Sequence, residues 1–122
     1  TYDLTTTSYV RSNYECKRVK EYIDKNFKDD ITLDTLAAFC HLNKYYLSHS
    51  FNECYGIPPI KYLNQKRIEE SKRLLETTNF SVLQIASIVG FSSQSYFSQT
   101  FKKAVGKTPL EYRKEMLEKS KR

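Results

Sequence analysis

Apolar residues recur along this chain at helical spacing, and no stretch alternates apolar and polar positions with the period of two that a strand requires. Leu47, Ser50, Phe51 and Cys54 fall at i, i+3, i+4 and i+7, which is one stripe of a helix. Phe97, Thr100, Phe101 and Ala104 repeat that stripe further along. Read this way, the pattern predicts an all-α chain of about seven helices, at roughly 14–27, 33–40, 44–55, 59–76, 82–89, 93–105 and 109–119. Ser81 to Gln84 and Thr108 to Glu111 each fit a capping box, in which a hydroxyl and a side chain three residues on satisfy orphan backbone donors. Pro109 suits the first helical position, and Gly56 and Gly106 suit the left-handed residue that ends a helix. In the first helix Val19, Ile23 and Phe27 face inward. Residues 1–12 are polar and aperiodic and read as a linker or disordered segment.

The same pattern contains a repeat. An offset of 49 maps Thr32 onto Ser81, Leu33 onto Val82, Leu36 onto Ile85 and Ala37 onto Ala86. An offset of 50 maps Ser48 onto Ser98, Phe51 onto Phe101, Gly56 onto Gly106, Pro59 onto Pro109 and Tyr62 onto Tyr112. The change of one residue falls where His41-Leu42-Asn43 faces Gly90-Phe91-Ser92-Ser93, and a turn tolerates an insertion better than a packed helix does. Residues 13–122 therefore read as one domain built from two tandem helix-turn-helix subdomains, at about 31–57 and 80–107. A long linking helix at about 58–78 joins them, and a C-terminal helix follows at about 108–120.

The second helix of each unit has a free face. In the first copy it carries Lys44, Tyr45, Ser48, His49 and Asn52, and in the second Gln94, Ser95, Ser98, Gln99 and Lys102. All are hydrogen-bonding side chains and none is an acid. A solvated helix normally mixes both signs, whereas a face entering a phosphate-lined groove excludes carboxylates. Gln94 and Gln99 can pair with the N6/N7 edge of adenine, and Lys44 with guanine acceptors.

Composition and charge refine this picture. The 122 residues suffice for one domain with a real core, and three glycines and three prolines argue against a turn-rich β-sandwich. Residues 1–56 hold 7 Lys/Arg against 8 Asp/Glu and residues 57–122 hold 13 against 6, so the net +6 comes entirely from the C-terminal half. Lys102, Lys103 and Lys107 cluster after the second free face, which suits a polyanionic partner. Neither a membrane-spanning run nor a signal-peptide pattern occurs, so a cytoplasmic location is expected. The chain begins at Thr1, which reads as a piece of something longer.

Little else suggests chemistry. Cys16, Cys40 and Cys54 are an odd number without metal-binding spacing; Cys40 and Cys54 map onto Val89 and Ala104 and read as small core residues. His49 maps onto Gln99, which argues against a metal or catalytic role. Arg67 lies on the apolar stripe of the linking helix, where a structural ion pair or backbone contact is expected. With no nucleophile–base pair, metal cluster or phosphate loop, the expectation is a protein that is not an enzyme, without catalytic residues, cofactor or metal.

From Ile31 to Arg113 the chain resembles the DNA-binding domain of AraC/XylS-type transcription regulators. The resemblance is densest in the second unit: Ile85-Ala86, Val89-Gly90-Phe91, Ser95-Tyr96-Phe97-Ser98, Phe101-Lys102-Lys103, Gly106, Thr108-Pro109 and Tyr112-Arg113. Leu36-Ala37, Leu47-Ser48, Phe51 and Gly56 extend it to the first unit, and Tyr62, Arg67 and Leu74-Leu75 to the linking helix. It implies sequence-specific binding of double-stranded DNA, with one helix per unit in successive major-groove segments and no covalent chemistry. The DNA-contacting residues it implies are Lys44, Tyr45, Ser48 and His49 in the first unit, and Gln94, Ser95, Ser98 and Gln99 in the second; Lys102, from the free face and the basic cluster, is expected to meet DNA as well. It further implies transcriptional activation, RNA polymerase as a partner, and a sensing or dimerising domain N-terminal to this one. Pro58 departs from the pattern, standing where the second copy has Thr108, so the linking helix lacks that side-chain cap. The competing reading is a helical protein-interaction module that keeps the shape without reading DNA; acids or apolar residues on the free faces would mark it.

Overall fold

The computed structural model describes the backbone of residues 4–121 and the side chains of residues 13–121. Among the described residues there are seven helices and no strand: α1 (Leu4–Asn26), α2 (Leu33–Cys40), α3 (Lys44–Tyr55), α4 (Pro59–Thr77), α5 (Val82–Val89), α6 (Gln94–Val105) and α7 (Pro109–Ser120). The all-α class and the helix order agree with the apolar periodicity. The first helix differs: it begins at Leu4 rather than near residue 14, so residues 4–12, read as a linker or disordered segment, are helical. A helix already nucleated by packed residues adds one hydrogen bond for each residue it extends, so its first turns need no apolar stripe to announce them.

The chain divides into two compact units, residues 1–63 and 64–122. The first closes around Cys16, Val19, Ile23, Leu36, Cys40, Leu47, Phe51 and Leu63, with Tyr22, Phe39 and Ile60 packed against them. The second closes around Ile68, Leu75, Ile85, Val89, Phe91, Phe97, Phe101 and Tyr112. Helix α4 contributes to both cores, through Leu63 to the first and through Ile68, Leu74 and Leu75 to the second.

Local chemistry fixes the helix ends. The capping boxes expected at Ser81/Gln84 and Thr108/Glu111 are present, and a third is formed by Thr32 with Thr35. In that third box a threonine replaces the acid or amide that normally marks the motif, so the sequence pattern passes over it. The Thr108 backbone N–H and hydroxyl hold the Glu111 carboxyl below the usual carboxylate range. Helix α5 ends on Gly90 at φ 104°, and α2 ends on His41 at φ 55°, a left-handed conformation that disfavours any side chain. Past those residues Leu42 N–H and Phe91 N–H close the same backbone contact, to Ala37 O at 3.0 Å and Ala86 O at 2.9 Å. Asn43 and Ser93 then cap α3 and α6. Ser92 is therefore the one-residue insertion.

Each unit is braced alike. The Tyr62 hydroxyl donates to Asp24 of α1, and the Tyr112 hydroxyl to Glu76 of α4 at 2.9 Å. The two tyrosine rings pack on Phe51 and Phe101, with centroids 5.9 and 5.6 Å apart. Burial, followed by the bond to Glu76, pushes the Tyr112 phenol up to about 12. Arg113 donates to the Leu75 and Thr78 carbonyls at 3.0 and 3.2 Å, so a cation sits where the C-terminal end of α4 favours one. Arg67 is 6% exposed with its guanidinium 5.6 Å from the Phe91 ring centre, a cation–π contact that the expectation of an ion pair or backbone contact did not include.

One expectation of the core fails at its edge. Cys54 and Ala104 are exposed, although the helical stripe includes them. They lie in the last turns of α3 and α6, where the stripe runs past the helices that cover Phe51 and Phe101.

Candidate nucleic-acid interface

In both units the second helix is held by its ends and by its buried face. The Asn43 side-chain oxygen accepts from the Tyr45 and Tyr46 N–H groups at 2.9 and 3.3 Å, and the Ser93 hydroxyl oxygen from the Tyr96 N–H at 3.0 Å. Leu47 and Phe51 seat α3, and Phe97 and Phe101 seat α6, all four with no exposed surface. Gly56 at φ 80° and Gly106 at φ 92° end the two helices. Caps, seat and stop together fix the rotation of each helix, and so decide which side chains face solvent.

The nine side chains singled out in the sequence lie on the solvent side of these helices. Tyr45, His49, Gln94, Ser95, Gln99 and Lys102 are exposed, and Lys44, Ser48 and Ser98 are half-buried. On α6, Gln99 Nε2 donates to Ser95 Oγ at 3.5 Å, a long contact that leaves both able to turn to a ligand. On α3 the surroundings differ from expectation. Lys44 lies 3.4 Å from Asp34 of α2 and 5.5 Å from the centre of the Tyr45 ring. His49 Nε2 lies 3.1 Å from Glu53 Oε1, one turn further along α3. The reading positions contain no acid, but two acids reach them, one from the neighbouring helix and one from outside the set of positions compared. Lys107 is likewise committed to Glu115, whereas Lys102 and Lys103 are exposed at the end of α6.

Periodicity also passed over a pair. Tyr46 and Tyr96 are related by the offset of 50, and each is 44% exposed at the third position of its helix. The Tyr96 hydroxyl accepts from Asn64 Nδ2 at 3.0 Å while its ring lies 5.5 Å from Phe91. Their signal was the repeat itself: two large aromatics at equivalent, solvent-facing positions.

Chemically, the two faces offer hydroxyls, amides, an imidazole and ammonium groups, the donors and acceptors that match base edges and phosphate oxygens. Among the described residues no group of three or more His, Cys, Asp or Glu side chains is placed to hold a metal ion, and no buried side-chain nitrogen or oxygen lacks a hydrogen-bond partner.

The helix-turn-helix domain family model matches residues 36–115, which is both units from the middle of α2 into α7. The chain belongs to the AraC-type helix-turn-helix family. As an AraC-type domain it is 35% identical over 125 residues to AdaA of Bacillus subtilis, named a bifunctional transcriptional activator/DNA repair enzyme; the match takes in 88% of this chain and 59% of AdaA. Among solved structures it is similar to the C-terminal domain of AraT, a response regulator from Geobacillus stearothermophilus. There the TM-score is 0.78 at 37% identity, over 83% of this chain and 84% of that one. It is also similar to the DNA-binding domain of AdpA, a global transcriptional factor solved with a target DNA: TM-score 0.76 at 26% identity, covering 82% and 90%. The AraC-type domain thus spans about three fifths of AdaA's length. No helix among its described residues is long and apolar enough to cross a membrane.

Proposed function

We propose that this AraC-type domain binds a specific, asymmetric site on double-stranded DNA, laying α3 and α6 into major-groove segments. The observation that carries this reading is the twofold presentation of α3 and α6. Each is the second helix of a helix-turn-helix, seated on buried aromatic or aliphatic residues, with polar side chains turned outward at repeat-equivalent positions. Lys44, Tyr45, Ser48 and His49 read or anchor one half-element; Gln94, Ser95, Ser98 and Gln99 read the other. Lys102 meets phosphate, as suits the last turn of a helix in a half of the chain rich in cations. The AdpA domain, solved on its target DNA, supports this reading by its likeness to the chain.

Binding proceeds without covalent chemistry, and its outcome is regulation of transcription. The likeness to AdaA, a named activator, supports activation; contact with RNA polymerase, in the cytoplasm, is part of the same proposal. A sensing or dimerising domain preceding α1 belongs to the same reading. The test is fluorescence anisotropy or a gel shift across the promoter of the gene that encodes this chain, against random duplex of equal length. Tighter binding to one segment, with steep loss as salt is raised, is the expected result. Equal affinity for random duplex overturns sequence-specific reading.

A further inference from the structure

Tyr96 is an exposed aromatic held at three points. Its backbone N–H donates to the Ser93 hydroxyl oxygen at 3.0 Å, its ring centre lies 5.5 Å from that of Phe91, and its hydroxyl accepts from Asn64 Nδ2 at 3.0 Å. Phe91 is itself buried, with the Phe97 ring centre 5.2 Å away and the Arg67 guanidinium 5.6 Å away. Asn64 is half-buried on α4, yet Tyr96 keeps 44% of its surface exposed. A ring that served only to cover Phe91 would need no side-chain partner for its hydroxyl, because water satisfies one. The bond from Asn64 fills an acceptor position of the phenol oxygen and leaves its proton for another group. Among the described residues none accepts that proton. The result is a hydroxyl fixed in place with a proton to give.

Its position says what takes the proton. Gln94, Ser95, Ser98, Gln99 and Lys102 form the outward stripe of α6, and Tyr96 stands at the edge of that stripe nearest α4. Lys103, seven residues on, shares this edge and is exposed. In α3 the repeat-equivalent of Lys103 is Glu53, an acid that would repel a phosphate. A helix lying in a major groove turns its middle to the base edges and its flanks to the sugar-phosphate walls. Phosphate oxygens accept and do not donate, and this flank offers them a hydroxyl proton and an ammonium.

We propose that the Tyr96 hydroxyl donates to a phosphate oxygen of bound DNA, and that Asn64 is the positioning residue that aims it. This contact rests on the reading of α6 proposed above, and it adds a grip on the backbone that fixes the register of the helix in the groove. The phenol is neutral, so its loss lowers affinity without changing the dependence on salt. Every duplex carries phosphates, so the loss falls alike on all sequences.

Tyr96→Phe keeps the ring on Phe91 and removes only the hydroxyl. Fluorescence anisotropy compares the intact chain with Tyr96→Phe, Asn64→Ala and the double variant, over a range of salt. The duplexes are the promoter segment bound most tightly and random DNA of equal length. Tyr96→Phe should weaken binding to both by about tenfold, the size of a hydrogen bond to a charged group, with the salt slope unchanged. Asn64→Ala should weaken both by about threefold, and should add nothing once the hydroxyl is gone, because it acts through that group. Additive losses, with or without a fall in Tm, overturn the positioning role. On the promoter segment, replacing phosphates one at a time by methylphosphonate should weaken the unaltered chain at one position where Tyr96→Phe is indifferent. The absence of such a position overturns the phosphate contact, as does a Tyr96→Phe loss confined to the promoter segment, which would mean that the hydroxyl meets a base. Unchanged affinity in Tyr96→Phe also overturns it, while specific DNA reading stands. An unaltered chain that binds all duplexes equally, and is weakened equally on all by Tyr96→Phe, overturns specific reading and supports the phosphate contact. A chain that binds no duplex overturns both.

Discussion

In the first unit Lys44 and His49 each have a carboxylate within reach, Asp34 at 3.4 Å and Glu53 at 3.1 Å. In the second unit the equivalent face carries amides and hydroxyls, with no ion pair among its described reading residues. Residues 1–63 hold 8 Lys/Arg and 8 Asp/Glu, while residues 64–122 hold 12 and 6. One architecture thus supports two electrostatic states. The first face has donors already engaged, which on the proposed reading exchange a carboxylate for a base or phosphate. The second has no ion pair to a carboxylate among its described reading residues, and it lies in a positive surround. Exposed ion pairs of this kind are weak, about 0–1 kcal/mol each, so the exchange is easy and its contribution is to selectivity more than to stability.

The sharpest way to separate the units is to damage one core. Phe51→Ala and Phe101→Ala each remove a fully buried ring and should cost about 3–5 kcal/mol. Because the two cores draw on different residues, hydrogen exchange should speed first in α2–α3 for the one and in α5–α6 for the other. Uniform loss of protection in both would break the description as two units.

Next come the reading faces. Ser98→Ala with Gln99→Ala, compared with Ser48→Ala with His49→Ala, should each weaken specific binding by about 1–3 kcal/mol for every base no longer read. If one pair alone changes specific affinity, that unit reads bases and the other only anchors.

The turns differ too. Gly90→Ala places a side chain at φ 104° and should destabilise by about 1–2 kcal/mol, while His41→Gly relieves the residue at φ 55° and should stabilise by about 1 kcal/mol or less. Chemical denaturation of the two variants checks both signs. If both variants lose stability, His41 makes a contribution beyond its backbone.

The smallest effect tests the electrostatic contrast directly. Asp34→Asn releases Lys44 and should raise affinity less than tenfold while steepening the dependence on salt by about one phosphate. An unchanged slope would mean that Lys44 stays off the DNA.

Helix positions, the repeat and two of the three capping boxes were legible in the sequence because each depends on neighbours a few residues apart. The box at Thr32 was not, because Thr35 performs a task usually marked by an acid or amide. The outward faces of α3 and α6 were legible for the same local reason: Phe51 and Phe101 bury one side of a helix and expose the other. What stayed hidden is tertiary. Asp34 reaches Lys44 from another helix, the Cys54 thiol donates to Asn13 across 41 positions of chain, and Arg67 lies over the Phe91 ring. Periodicity along one helix says which way a side chain faces, and nothing of what stands opposite.

The shared helix α4 has a consequence for how such a chain grows. Its first part closes one core as α7 closes the other, marked by Tyr62 and Tyr112, and its second part carries Glu76 in the role that α1 gives to Asp24. Each copy therefore hands its last helix to the next as a first. Two copies need seven helices rather than eight, and a third would add three. Duplication in this arrangement lengthens the text a protein can read one word at a time, and every new word begins on a helix the previous one has already folded.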